Sequence, residues 1–189
     1  MVEQNAKNRL LELLQNLGIS QDVAQFDSTP DAAHGFGCEL SVQLPDGRRI
    51  EGQGNGPKRK AAELAAAEEL FQTIDLHHSD LWVDWELIMV KAQAGDALIK
   101  LGAYLSTELK SSADKSLHLQ QFESDQHLAR VFDVWQQQGA PECLLWGPNL
   151  GEKKKASLVE AIVWDRYHQQ LLHPQSAPVF HDLLESLEI

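Results

Sequence analysis

The chain has 189 residues, 43% hydrophobic and 23% charged, a mix that supports a buried core and excludes a disordered polymer. That length fits one large or two small domains. The formal net charge of −12 opposes attraction to anionic membranes and, at first sight, to nucleic acid, because neutralising phosphates needs local positive potential.

Lys7 to Leu17 places Leu10, Leu11, Leu13 and Leu14 on one face of a predicted helix, and Gly18 stops it. Gln25 to Asp31 is polar and reads as turn. Cys38 to Leu44 alternates apolar and polar side chains with the period of a half-buried strand. Pro45-Asp46-Gly47 signals a tight turn, and Arg48 to Gln53 reads as the return strand. Gly52-Gln53-Gly54-Asn55-Gly56-Pro57 reads as irregular, opening a helix over Lys58 to Ile74 that is rich in Ala, Glu and Leu. The order of helix, strands and helix predicts an antiparallel sheet backed by helices, an α+β unit.

Asp75 to Asp80 breaks the periodicity and marks the expected boundary between domains 1–75 and 81–189. Beyond it the pattern is helical over Trp82–Ala94, Gly95–Leu109, Leu117–Phe122, Asp125–Gln138, Lys154–Leu172 and Val179–Leu187, with Pro141, Pro148, Pro174 and Pro178 between segments. The five tryptophans read as core, with a docking surface at Trp82 and Trp85, near the boundary, as the alternative for those two.

No apolar run approaches the roughly 18 residues that span a bilayer. Met1-Val2-Glu3-Gln4-Asn5 lacks the charged and apolar regions of a signal peptide. Cys38 and Cys143 form no disulfide framework and suit a reducing cytoplasm, the expected location. No Cys/His cluster has zinc spacing, and His77-His78 reads as a solvated linker pair. Serine hydrolase and nucleotide-fold signatures are missing: there is no Gly-x-Ser-x-Gly, and Gly52-x-Gly54 lacks a third glycine and a preceding apolar strand.

What stands out against the acidic background is clustering. Residues 1–75 hold seven Lys/Arg against twelve Asp/Glu and residues 76–189 nine against sixteen, yet each half carries one dense cationic run, Lys58-Arg59-Lys60 and Lys153-Lys154-Lys155. A helix N-terminus favours a phosphate, and lysines there add charge.

Gly52-x-Gly54, Lys58-Arg59-x-Ala61, Ala65-Ala66 with Leu70, and Asp31-Ala32-Ala33-His34 together resemble a double-stranded-RNA-binding domain over the first 74 residues. The resemblance implies an α-β-β-β-α fold and RNA as partner. It places Lys58, Arg59 and Lys60 on phosphates, His34 in the minor groove, and Gln4, Asn8 and Glu12 near 2′-hydroxyls. Two departures accompany it. The phosphate loop is one residue longer, with Pro57, and the family's third lysine position falls on Ala62.

Gly95-Asp96-Ala97-Leu98 and Ala156-Ser157-Leu158-Val159-Glu160-Ala161, with 64 residues between Asp96 and Glu160, resemble the two acidic helices of a ribonuclease III domain. That implies an all-α second domain and a lineage whose enzymes hold Mg²⁺ through four carboxylates. Asp96 and Glu160 keep their acids, but the other two positions are Ala92 and Ser157. No catalytic residue, metal or cofactor is therefore expected, and Asp96 alone reads as a capping or hydrogen-bonding residue. The family's aromatic dimer knob falls on Gln93, so its usual homodimer is not expected. The expectation is a pseudoenzyme that binds structured RNA, within a ribosomal or RNA-processing assembly, with Lys153 to Lys155 extending the basic track. The rivals are an Mg²⁺-dependent duplex-RNA endonuclease and a protein-interaction adaptor that has lost RNA binding.

Overall fold

Strand β2 (Gly35–Gln43) is the centre of a three-stranded antiparallel sheet, flanked by β1 (Ala24–Asp31) and β3 (Arg49–Gly56). The computed structural model describes residues 5–105, 111–169, 182 and 185–187. The chain divides into two units, one of Met1–Val83 with Leu145–Leu150 and one of Asp84–Leu144 with Gly151–Ile189. The fold class is mixed α+β. No described helix is long and apolar enough to cross a membrane.

In the first unit, α1 (Ala6–Asn16) begins at Asn5, whose side chain accepts from the Lys7 N–H, and buries Ala6, Leu10, Leu13 and Leu14. Gly18 ends the helix with φ +70, and the N–H groups of Gly18 and Ile19 close back on the Gln15 and Leu14 carbonyls. Leu145–Leu150 belongs to this unit despite its distance in sequence: the N–H groups of Gly147 and Asn149 donate to the Leu17 and Gly18 carbonyls at 2.8 and 2.9 Å.

The expected turn over Gln25 to Asp31 is strand β1. Its outward positions Gln25, Asp27 and Thr29 are exposed, while Phe26 and Ser28 are half-buried on the opposite face, so one polar face made the segment look like a loop. Pro30, opposite Phe36, is tolerated because β1 is an edge strand.

The glycine run is also regular structure. Gly52, Gly54 and Gly56 share the inner face of β3, and a β-carbon on any of them would overlap α2 (Arg59–His77), at Ala66 and Leu70, at Ala62 and Ala66, and at Ala61 and Ala62 respectively. Ala62, Ala66, Ala67 and Leu70 are fully buried there. Helix α2 thus lies almost backbone to backbone on β3, and the glycines serve that packing. It continues through His77, into the segment read as linker.

The second unit is helical: α3 (Trp85–Leu105), α4 (Ser112–Glu123), α5 (Asp125–Gln137) and α6 (Glu152–Tyr167). The two segments expected to meet at Gly95 are one helix. Gly95 is buried mid-helix where α3 crosses α6, so it marks a close approach rather than a break. Asp96 consequently caps nothing. Of the tail helix expected over Val179–Leu187, residues 182 and 185–187 are described and are helical, and the rest lie outside the described residues.

The tryptophans divide. Trp135 and Trp146 are buried, Trp164 stacks on His168 at 4.9 Å, and Trp85 lies under the Lys154 ammonium at 4.5 Å. Trp82 is 40% exposed, stacks on Phe71 at 5.7 Å and donates its Nε1–H to Asp75.

Candidate nucleic-acid interface

The residues of the first cationic run occupy the start of α2. Lys58 is the N-cap, with extended backbone, and no side chain caps this end of the helix. Lys58, Arg59 and Lys60 are all exposed, and Lys58 and Lys60 form no ion pair among the described residues. Arg59 does: its Nε lies 3.0 Å from Glu63 Oε1.

The turn between β1 and β2 lies beside this helix end. Gly35, with φ +89, stands so close that a β-carbon there would be 3.1 Å from the Pro57 carbonyl oxygen. His34 is one residue earlier. The Asp31 carboxylate accepts from the N–H groups of Ala33 and His34 at 2.8 Å and lies 3.2 Å from His34 Nδ1. Those two backbone bonds, that of His34 first, hold the Asp31 carboxyl below its usual range. His34 therefore stays exposed on a shaped turn, with an acid against one ring nitrogen.

Asn8 is exposed on α1, and Gln4 lies outside the described residues. Sequence reasoning missed Glu63 and Lys7. Lys7 Nζ is 2.7 Å from Glu63 Oε2 and 4.4 Å from the centroid of Phe26, so Glu63 faces two cations, Lys7 and Arg59. The Lys7 bond is the first reason that the Glu63 carboxyl sits below its ordinary range. The i, i+4 spacing of Arg59 and Glu63 was a readable signal; the approach of Lys7 from another helix was not.

In the second unit, Ala92 and Ser157 are buried on α3 and α6, at 2% and 6% exposure, where neither supplies an anion. Asp96 pairs at 2.7 Å with Lys100 Nζ, which lies 3.2 Å from Glu123 Oε1. Burial, and then the negative charges of Asp96 and Asp125, push the Glu160 carboxyl up to about 7, with Lys100 opposing. Glu123 and Asp125 come from the α4–α5 junction, and spacing along α3 and α6 gives no hint of them. Among the described residues no three His, Cys, Asp or Glu side chains are arranged to hold a metal ion. Of the second cationic run, Lys155 is bound to Asp133 at 2.7 Å, Lys154 covers Trp85, and Lys153 is exposed.

No family model, curated protein or solved structure matches the chain.

Proposed function

We propose that the first unit binds structured, double-stranded RNA without cleaving it, as a double-stranded-RNA-binding domain joined to a degenerate ribonuclease III-like helical unit. The observation that carries this reading is the placement of the uncapped N-terminus of α2, with Lys58 and Lys60 exposed on it, beside the turn that presents His34. A helix dipole and long-stemmed ammonium groups suit the phosphates of an A-form duplex, and a turn alongside suits its shallow minor groove. Lys58, Arg59 and Lys60 neutralise phosphates, and His34 and Asn8 contact the groove. The antiparallel sheet carrying α2 on its inner face supports the resemblance to that domain.

Burial supports a revised register against the family pattern. Ala62, fully buried on β3, is a better packing alanine than half-buried Ala61. Moving the pattern by one residue makes Arg59-Lys60 the basic pair, absorbs Pro57 without a longer loop, and assigns the third cationic position to Glu63. In the second unit the ammonium of Lys100 between Asp96 and Glu123 supports a non-catalytic reading, because it supplies positive charge beside the surviving acids.

The test is a titration of the whole chain with an RNA duplex of about 20 base pairs, the length class such domains span, at low and moderate salt. Binding that weakens with salt, and that Lys58→Ala with Lys60→Ala largely removes, is the expected result. No binding at low salt refutes it. That outcome would favour the adaptor reading, whose specific support is Glu63 compensating both Lys7 and Arg59. Cleavage of the duplex in Mg²⁺ or Mn²⁺, abolished by Asp96→Asn, would instead establish the endonuclease.

A further inference from the structure

Residues 31–34 carry the chain from β1 into β2, and their side chains offer a single kind of hydrogen-bonding group. Ala32 and Ala33 have no polar side-chain atom. Asp31 Oδ1 accepts from the N–H groups of Ala33 and His34, both at 2.8 Å, and lies 3.2 Å from His34 Nδ1. A carboxylate oxygen is an acceptor only, so the Nδ1 that faces it carries the proton of the ring. In the neutral ring Nε2 is then a bare lone pair, on a side chain that is 57% exposed. Nε2 and the second oxygen of Asp31 are both acceptors, and the turn presents no side-chain donor beyond the Nδ1–H already used.

Asp31 makes this choice. Its two backbone bonds fix where the carboxylate stands, and among the described residues no other side chain bonds the His34 ring. On the reading that this turn meets an RNA minor groove, an outward acceptor has few partners. The base edges there show the N3 and O2 acceptors, which repel a lone pair, and one donor, the 2-amino group of guanine. The 2′-hydroxyls donate as well, but they line the groove whatever the sequence.

We propose that Asp31 is a positioning residue that holds the His34 ring with its proton on Nδ1, so that Nε2 accepts a hydrogen bond from the 2-amino group of a guanine. The inference rests on the RNA-binding reading above and adds a preference to it: a G·C pair beneath the turn is favoured over an A·U pair. The cationic start of α2 meets phosphates, which carry no sequence information.

Two RNA duplexes of about 20 base pairs, identical except that inosine replaces guanosine in one, differ in the minor groove by the lost 2-amino group. At about pH 8, above the ordinary histidine range, the full chain should bind the guanosine duplex about three- to tenfold more tightly, the span of one net hydrogen bond. His34→Ala should bring the two duplexes level. So should Asp31→Ser, whose hydroxyl still caps the turn but is too short to reach the ring. Ring-nitrogen NMR of the free chain is the independent readout, with the His34 resonances assigned by their loss in His34→Ala. Nδ1 should be protonated and Nε2 bare in the wild type, and Asp31→Ser should abolish that bias. A chain that binds neither duplex overturns the RNA reading and this preference with it. Equal binding of both duplexes by the wild type overturns this inference alone. So does a proton on Nε2 in the free chain, or a preference that either variant leaves unchanged.

Discussion

Gly95 on α3 and Glu160 on α6 meet backbone to backbone, so close that a β-carbon on Gly95 would overlap the Glu160 carbonyl. The contact fixes how the two helices carrying Asp96 and Glu160 cross, and there is no flexible side chain on the Glu160 side to yield. Gly95→Ala should destabilise the second unit by about 3 kcal/mol, the upper range for inserting a methyl group into closed packing. Denaturant unfolding monitored by tryptophan fluorescence measures it, and a loss under about 0.5 kcal/mol, the scatter of ordinary surface substitutions, would contradict the close crossing.

The Glu160 carboxyl binds its proton more tightly in the fold than in the unfolded chain, with its value raised from 4.5 to about 7. The stabilisation linked to that proton is complete below about 4.5 and is lost as the pH rises through about 7. Relative to Glu160→Gln, which cannot titrate, the wild-type second unit should lose roughly 1–2 kcal/mol over this window, less than the full shift implies because the carboxyl keeps some solvent contact. Unfolding midpoints of both proteins below and above the window provide the comparison. Parallel pH profiles would show that Glu160 is ordinary.

Glu63 restrains two cations near the proposed phosphate site. Glu63→Gln should free Lys7 and Arg59 and tighten binding to duplex RNA by about three- to tenfold at low salt, with a steeper salt dependence. Lys58→Ala, removing one phosphate contact, should lower the salt slope by about one. Fluorescence anisotropy with a labelled duplex reads both. Weaker binding by a folded Glu63→Gln chain would mean that Glu63 positions cations rather than silencing them.

Cys38 and Cys143 are 3% and 0% exposed, and burial pushes the Cys143 thiol up to about 11. Thiolate reactivity requires both access and ionisation. The native chain should therefore consume almost no aromatic disulfide reagent within minutes, and two equivalents after denaturation. Rapid native labelling would show that the first sheet or the region of Cys143 opens readily.

Much of this architecture was legible wherever one physical signal acted alone. The leucines of α1, the alternation from Cys38 to Leu44 and the Pro45-Asp46-Gly47 turn each report a local preference that the fold keeps. Reading failed where a residue type has two uses. Glycine is a turn former by itself, but Gly52, Gly54 and Gly95 are smooth surfaces for a neighbouring helix, and only the neighbour distinguishes the two uses. The polar composition of β1 hid a strand because its outer face meets water. At the candidate site, the exposed cations could be found from their clustering, whereas Glu63's hold on Lys7 and the Lys100 bridge to Glu123 join side chains 56 and 23 positions apart.

The bonds from Gly147 and Asn149 to the Leu17 and Gly18 carbonyls bear on any attempt to study the halves apart. A stop codon after Val83 would strip two acceptors at the end of α1 of their donors and bare the main chain on which Leu150 rests. The sheet-bearing half is thus stitched from two stretches of sequence, and its last stitch is made only after most of the helical half has been synthesised.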